Sequence, residues 1–270
     1  MPDTDRKTDH PSLSVIMPAL NEEGRIALAL QNTLDALDHF GFAGEIVAVN
    51  DGSRDRTPQI IEEFMARDSR VRVIHHDRPQ GIGASFWEGV DDAAHEIVIM
   101  LPGDNENDPW ESLQYIGLLE HVDIVIPFVY NRSVRSLFRN LLSLVYRRVI
   151  NSTFMVNFNY TNGTVLYRKC ILKELPYRSA NFFFQTDILI RSVKKGYLFA
   201  EVPYRLGLRS EGKSKAVSYP SLVRVARGYL RLVRDFYFSK KSKVAQDEFV
   251  AGSSTSRRYA TENMLYKVKK

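Results

Sequence analysis

Residues 45–57 read EIVAVNDGSRDRT. A short apolar run ends in Asn50 and Asp51, and a Gly-Ser turn follows. An apolar run closed by turn residues predicts a buried strand, and Thr57 to Arg67 behind it predicts a helix. The same unit recurs outward on both sides. Ser12 to Pro18 (SLSVIMP) runs into PALNEE (Pro18 to Glu23). Asn21 to His39 then carries Ile26, Leu30, Leu34 and Leu37 at helical spacing, with Asn21 as its expected cap. Val71 to His75 predicts a third strand, Gly83 to Ala94 a third helix, and Glu96 to Leu101 (EIVIML) a fourth strand that enters PGDNEND (Pro102 to Asp108). Near-continuous apolar strands alternating with helices predict an α/β protein, a parallel sheet covered on both faces. Ligands of such sheets bind outside the carboxyl ends of the strands. Three acid-bearing loops therefore converge on the edge where a ligand is expected.

The bulk composition agrees. With 270 residues and 44% apolar side chains, the chain can bury the core of one substantial α/β domain and is not a disordered protein. The net charge of +5 suits a phosphate-bearing ligand or an anionic surface without demanding either. Cys170 is the sole cysteine, so no internal disulfide forms and a reducing, cytoplasmic setting is expected. Residues 1–11 read as a disordered leader without the apolar stretch of a secretory signal. No run reaches the roughly 18 apolar residues of a spanning helix. Residues 12–216 read as the catalytic domain, 217–240 as a basic amphipathic helical segment, and 241–270 as a flexible polar tail.

The ordered pieces SVIMPALNEE, VNDGSRDRT, GIGASFWEGVDDAAHE, IMLPGDNENDP, NGTVLYRK, QTD and EVPYRLGLRSEGKSK span residues 12–216. In this order they resemble family-2 glycosyltransferases of the Rossmann-like GT-A fold, and among them the polyprenyl-phosphate (dolichyl-phosphate) sugar synthases. The resemblance implies an inverting transfer of a hexosyl unit from a nucleoside-diphosphate sugar to a polyprenyl phosphate. It places the nucleotide on Pro18, Leu20, Glu22, Asn50 and Asp51, with Gly103 and Asp104 following the fourth strand. Glu22 also suits the positive end of the helix it opens. Gly83, behind Gly81, serves either a structural turn or a close approach of backbone to nucleotide. GIGASF is not a dinucleotide fingerprint, since the third glycine is missing.

A diphosphate leaving group gathers charge as its bond to the sugar breaks, and a divalent cation stabilises that charge. Mg²⁺ or Mn²⁺ is the expected cofactor, held by Asp104 and Glu106, which an extended loop would point the same way. Asp104 matches the second aspartate of the family's Asp-x-Asp pair, while Pro102 stands in the place of the first. For a hydroxyl acceptor, Asp187 is the candidate general base. A phosphate acceptor needs no base, because its second pKa is about 6. It needs cations to orient it, and Arg139, Arg209 and Lys213 are the candidates.

Two segments have the pattern of a membrane surface contact. Between Val134 and Ile150, Leu137, Phe138, Leu141, Leu142, Val145 and Val149 form an apolar stripe with Arg135, Arg139 and Arg147 off it. Between Ser221 and Phe238, Arg224, Arg227, Arg231 and Arg234 recur beside apolar residues. The same pattern also covers a sheet or joins two subunits. The expected partners are thus a nucleoside-diphosphate sugar, a polyprenyl phosphate and a membrane surface, with no nucleic-acid module in the chain. Rival readings are a hydroxyl acceptor with Asp187 as base, a sugar-phosphate nucleotidyltransferase, for which PALNEE lacks the basic Gly-rich loop, and a catalytically inactive membrane-binding protein. His75 and His76 read as strand-end residues rather than metal ligands.

Overall fold

The computed structural model describes residues 11–131, 137–205, 219–239 and 248–268. The four expected strands form: β1 (Ser12–Ala19), β2 (Ala43–Asn50), β3 (Val71–His75) and β4 (Ile97–Met100). Between them lie α1 (Ile26–Phe40), α2 (Thr57–Arg67) and α3 (Ile82–Asp92). The chain continues through α4 (Pro109–Leu113), β5 (Ile124–Val129), α5 (Leu137–Phe154), β6 (Leu166–Arg168) and α6 (Lys169–Lys173). It then forms α7 (Phe184–Lys195), β7 (Phe199–Tyr204), α8 (Tyr219–Val233), a π-helical turn over Arg234–Phe238, and α9 (Ser254–Val268).

Among the described residues, seven strands make one sheet in the order β3-β2-β1-β4-β6-β5-β7. β6 runs antiparallel to β4 and β5, and every other pair is parallel. Alternation along β1 divides the core. Leu13, Val15 and Met17 face the side covered by Leu30, Leu34 and Leu37 of α1, while Ile16 faces Phe86 and Val90 of α3. This is the mostly parallel sheet with helices on both faces that the resemblance implied.

The strand order reverses at β1. The chain builds β2 and β3 on one flank and returns to place β4 on the other. The crevice outside the ends of β1 and β4 is thus a topological switch point, the position where open α/β sheets bind ligands.

Three boundaries differ from the sequence reading. Helix α1 starts at Ile26, not Asn21. Asn21 instead takes φ +54°, a left-handed conformation that asparagine tolerates, and links two loops. The described part of the 217–240 segment, residues 219–239, packs on the domain: Leu232 is fully buried, and a Cβ at Gly228 would stand 2.8 Å from the Phe183 ring. The tail is not loose over its described part. Phe249 stacks edge-on against Tyr197, and Ser253, Ser254 and Thr255 are buried. The fully buried Asp123 carboxylate accepts from the amides of Ser254 (2.6 Å) and Thr255 (3.1 Å) and from the Thr255 hydroxyl, capping α9 from 131 residues away.

Candidate functional site

The loops after β1 and β2 are laced together. Asn21 accepts from the Arg54 amide at 2.8 Å and donates its own amide to Ser53 Oγ at 3.0 Å. The Glu22 amide donates to Thr57 Oγ1, and the Arg56 amide donates to Glu23. Asn50 accepts from the Ser53 amide and meets His75 through its side-chain amide. Pro18 is buried in β1 and accepts from the Gly103 amide at 3.0 Å, tying the loop after β4 to β1. Leu20 and Glu22 sit half-buried at the mouth of this crevice. Pro18, Leu20, Glu22, Asn50, Gly103 and Asp104 are therefore gathered at one sheet edge.

Two residues expected on the nucleotide also have structural roles. Asp51 is buried, and its carboxylate accepts from the amides of Gln80 (2.7 Å) and Gly81 (2.9 Å) and from His76 Nδ1 (2.8 Å). Oδ1 takes two of these donors and Oδ2 one, so Asp51 anchors its loop while Oδ2 keeps room for a further donor. Gly83 is required by the chain itself: a Cβ there would stand 2.3 Å from the Ser179 carbonyl oxygen. Its amide donates to the Ala180 carbonyl at 3.0 Å. Of the two roles open in the sequence, the structural one explains Gly83. A Cβ at Gly103 would stand 2.5 Å from Ile26 Cδ1, the end of a movable side chain, so that position is less constrained.

The loop after β4 is a tight turn rather than an extended segment. Asn105 has φ +52° and accepts from Asn32, and the Asp104 carboxylate accepts from the Glu106 amide at 3.1 Å. The extended-loop reason for pairing Asp104 with Glu106 therefore fails. Glu106 lies 3.9 Å from the Arg25 guanidinium. Asp108 caps α4 by accepting from the Trp110 amide. No cluster of three or more His, Cys, Asp or Glu side chains forms a metal cage among the described residues. Mg²⁺ and Mn²⁺ sites completed by substrate phosphate and water take only one or two protein carboxylates, so the oxygen donors of this turn fit such an ion.

Beside this turn opens a cleft of about 380 Å³. Pro102 and Asn107 line one side, Ile82 and Phe182 another, and Tyr146 of α5 and Val225 of α8 flank it. Its polar floor is neutral. Gln185 donates to the Gly163 carbonyl at 2.5 Å, and Tyr146 shares a 2.8 Å hydrogen bond with Thr186, which reaches Asn162 at 3.4 Å. The sequence reading passed over Gln185, although it stands in the same QTD motif. Asp187, two residues on, falls roughly 200° round the helix. The structure does not bring it to the cleft. It is 2% exposed and pairs with Arg191 at 2.9 Å, and Arg191 reaches Asp235 at 2.7 Å. Burial pushes the Asp187 carboxyl above the ordinary aspartate range, against the pull of Arg191.

Arg209 and Lys213 lie outside the described residues, as does the side chain of Arg139 in the first turn of α5. On α5, Leu141, Leu142, Val145 and Val149 are exposed; on α8, Leu222 and Leu230 are, and Phe238 follows. Leu142 and Leu222 also line the cleft, so the exposed apolar residues continue from its walls. No described helix is long and apolar enough to cross a membrane.

A sheet reversed at β1, with acid-bearing loops at the switch point and a cleft beside them, defines an α/β protein of the GT-A class. The chain belongs to glycosyl transferase family 2, whose family model matches residues 14–181. It is 33% identical over 114 residues to a dolichyl-phosphate beta-glucosyltransferase of Trichomonas vaginalis, covering 40% of this chain and 34% of that one. It is 28% identical over 206 residues to an undecaprenyl-phosphate 4-deoxy-4-formamido-L-arabinose transferase of Edwardsiella ictaluri, covering 75% and 62%. The chain thus spans between a third and just under two thirds of these relatives. Its fold matches glucosyl-3-phosphoglycerate synthase from Mycobacterium tuberculosis in complex with UDP, at TM-score 0.63 and 19% identity, over 84% of this chain and 80% of that one.

Proposed function

We propose that this chain is an inverting glycosyltransferase that moves a hexosyl unit from a nucleoside-diphosphate sugar to a polyprenyl phosphate at a membrane surface, on its cytoplasmic face. The observation that carries the acceptor class is the placement of Asp187 on the far face of α7, paired with Arg191, while the neutral Gln185 faces the cleft. A hydroxyl acceptor needs a base beside it. A phosphate monoester is already largely dianionic near neutrality. Relatives that act on dolichyl and undecaprenyl phosphates support the same reading.

In this mechanism the nucleotide lies at the ends of β1, β2 and β4, against Pro18, Leu20, Glu22 and Asn50. Asp104, with Glu106 beside it, would hold a Mg²⁺ or Mn²⁺ ion, which when bound offsets the charge gathering on the departing diphosphate. Tyr146, Asn162 and Gln185 offer hydroxyl and amide groups to orient the sugar. An acceptor phosphate oxygen attacks the anomeric carbon, the bond to the nucleoside diphosphate breaks, and no proton has to move. Arg139, Arg209 and Lys213 orient the acceptor phosphate. The exposed leucines and valines of α5 and α8 meet the lipid surface, so the prenyl chain enters from the bilayer.

The test is a panel of nucleotide sugars with Mn²⁺ and either a short polyprenyl phosphate or the matching polyprenol, read by mass spectrometry. Glycosyl polyprenyl phosphate is the expected product. Transfer to the alcohol in place of the phosphate would overturn the acceptor class.

A further inference from the structure

Behind the donor edge lies a charged cluster that the proposed reaction does not use. His76 follows β3, and its side chain is 2% exposed. Its Nδ1 is 2.8 Å from Asp51 Oδ1 and its Nε2 is 2.5 Å from Glu88 Oε2. Both ring nitrogens face carboxylate oxygens. An ionised carboxylate only accepts, so with both carboxyls ionised the arrangement favours a proton on each nitrogen and an imidazolium ring. Burial alone would lower the histidine pKa, but the hydrogen bonds to Asp51 and Glu88 outweigh it and raise the pKa above the ordinary value. Asp51 and Glu88 are the charged groups that face the ring, from the end of β2 and from α3. The neighbouring His75 faces away, toward Glu62 on α2.

The cluster holds a loop. The Asp51 carboxylate that binds His76 also takes the amides of Gln80 and Gly81. Gly52, at φ +72°, lies under the same loop, and a Cβ there would stand within 2.8 Å of Arg78 Cα and Pro79 N. Directly after Gly81, Ile82 lines the cleft. Residues 76–81 thus run from the histidine to the cleft wall, with His76, Asp51 and Glu88 fixing one end.

We propose that His76 is a positioning residue for the donor: as an imidazolium clamped between Asp51 and Glu88, it holds the Asn50–Asp51 strand end, with the 76–81 loop tied to it, in the donor-binding arrangement and makes donor affinity fall when it loses its proton. This rests on the reading of the strand ends as the donor site. A neutral His76 keeps one N–H and turns a lone pair toward one carboxylate. The loop then spends part of its time detached, and apparent affinity falls with the competent fraction. The sign follows from the raised pKa: the clamp is intact at low pH and is lost as pH rises through the folded-state pKa of His76.

The test measures binding of a nucleoside diphosphate with Mn²⁺ by calorimetry across pH, together with the imidazole titration of His76 by NMR. Wild type, His76→Gln and Glu88→Gln are compared. The Glu88 side chain is 48% exposed, so its variant is expected to fold. Wild-type affinity is expected to drop on the order of tenfold as His76 deprotonates, the scale of losing a charge-assisted hydrogen bond. Glu88→Gln moves both the NMR midpoint and the affinity break to lower pH together. His76→Gln binds weakly with no break. A wild-type affinity that stays flat while His76 titrates overturns the positioning role and leaves the donor reading standing. Absence of nucleotide binding at every pH overturns both.

Discussion

Asp187→Asn separates the two acceptor classes. The substitution keeps the shape of the side chain and removes its charge. In the structure, Asp187 contributes one arm of a buried bridge: Arg191 holds Asp187 at 2.9 Å and Asp235 at 2.7 Å, with Arg191 itself 10% exposed. Removing one partner of a buried pair costs about 3–5 kcal/mol when the other is stranded. Here Arg191 keeps Asp235, and asparagine still offers a carbonyl oxygen, so about 1–3 kcal/mol is expected. For a chain of this size that lowers Tm by roughly 2–12 °C, at about 2–4 °C per kcal/mol. Turnover on a polyprenyl phosphate should stay within several-fold of wild type in the folded protein. The assay pairs differential scanning fluorimetry with acceptor kcat and KM, measured well below the variant's Tm. A loss of 10²–10⁴ in kcat, the usual contribution of a general base, with Tm unchanged would show that Asp187 reaches the reacting atoms and that the phosphate reading is wrong.

Asp104→Asn should leave the melting temperature near wild type, because the residue sits in a strand-end turn, and should lower kcat on the order of 10²-fold by weakening charge stabilisation at the diphosphate. Normal turnover in the folded variant would remove Asp104 from the metal site. Deleting residues 248–270 should destabilise the domain by about 2–4 kcal/mol, since the fully buried Asp123 loses three donors at once and keeps Arg168 only at 4.0 Å. A urea midpoint unchanged by the deletion would mean that Asp123 finds water or new partners without cost. The protein should co-sediment with anionic vesicles at low salt and be released by high salt, and Leu141→Asp with Val145→Asp should weaken the binding, because both side chains are more than half exposed. If the double variant pellets like wild type, α5 is not the contact.

The first four strands and their helices were legible because each is a continuous apolar run closed by turn residues, a local signal. The later sheet was not. β6 is three residues long and antiparallel, and β5 and β7 contain Pro127 and Pro203. Their strand identity comes from their neighbours. Asp123 shows the same limit at the C-terminus: AGSSTS reads as polar loop until a carboxylate 131 residues away caps it. Glycines told a similar story. Gly83 was marked by its place at a helix start, but its cause is the 179–180 backbone crossing above it.

At the site, the sequence located the edge, and the structure adds contacts that the sequence did not show. The acid-bearing loops do converge, since strand ends in a parallel sheet share one side. What each acid does depends on the donors that meet it, and those come from elsewhere. Asp51 accepts from Gln80, Gly81 and His76, so the conspicuous acid of the NDGS turn is also a loop anchor. For Asp187 a local signal did exist. DILIR places an arginine four residues after the aspartate, the spacing of a helical ion pair, and an acid committed to that pair faces the same way as its partner. Helix geometry then sends the residue two positions earlier to the opposite face, and that residue is Gln185. A neutral amide in the cleft and an acid behind it suit an acceptor that arrives already charged, so the proposed phosphate acceptor rests on the helical phase of α7.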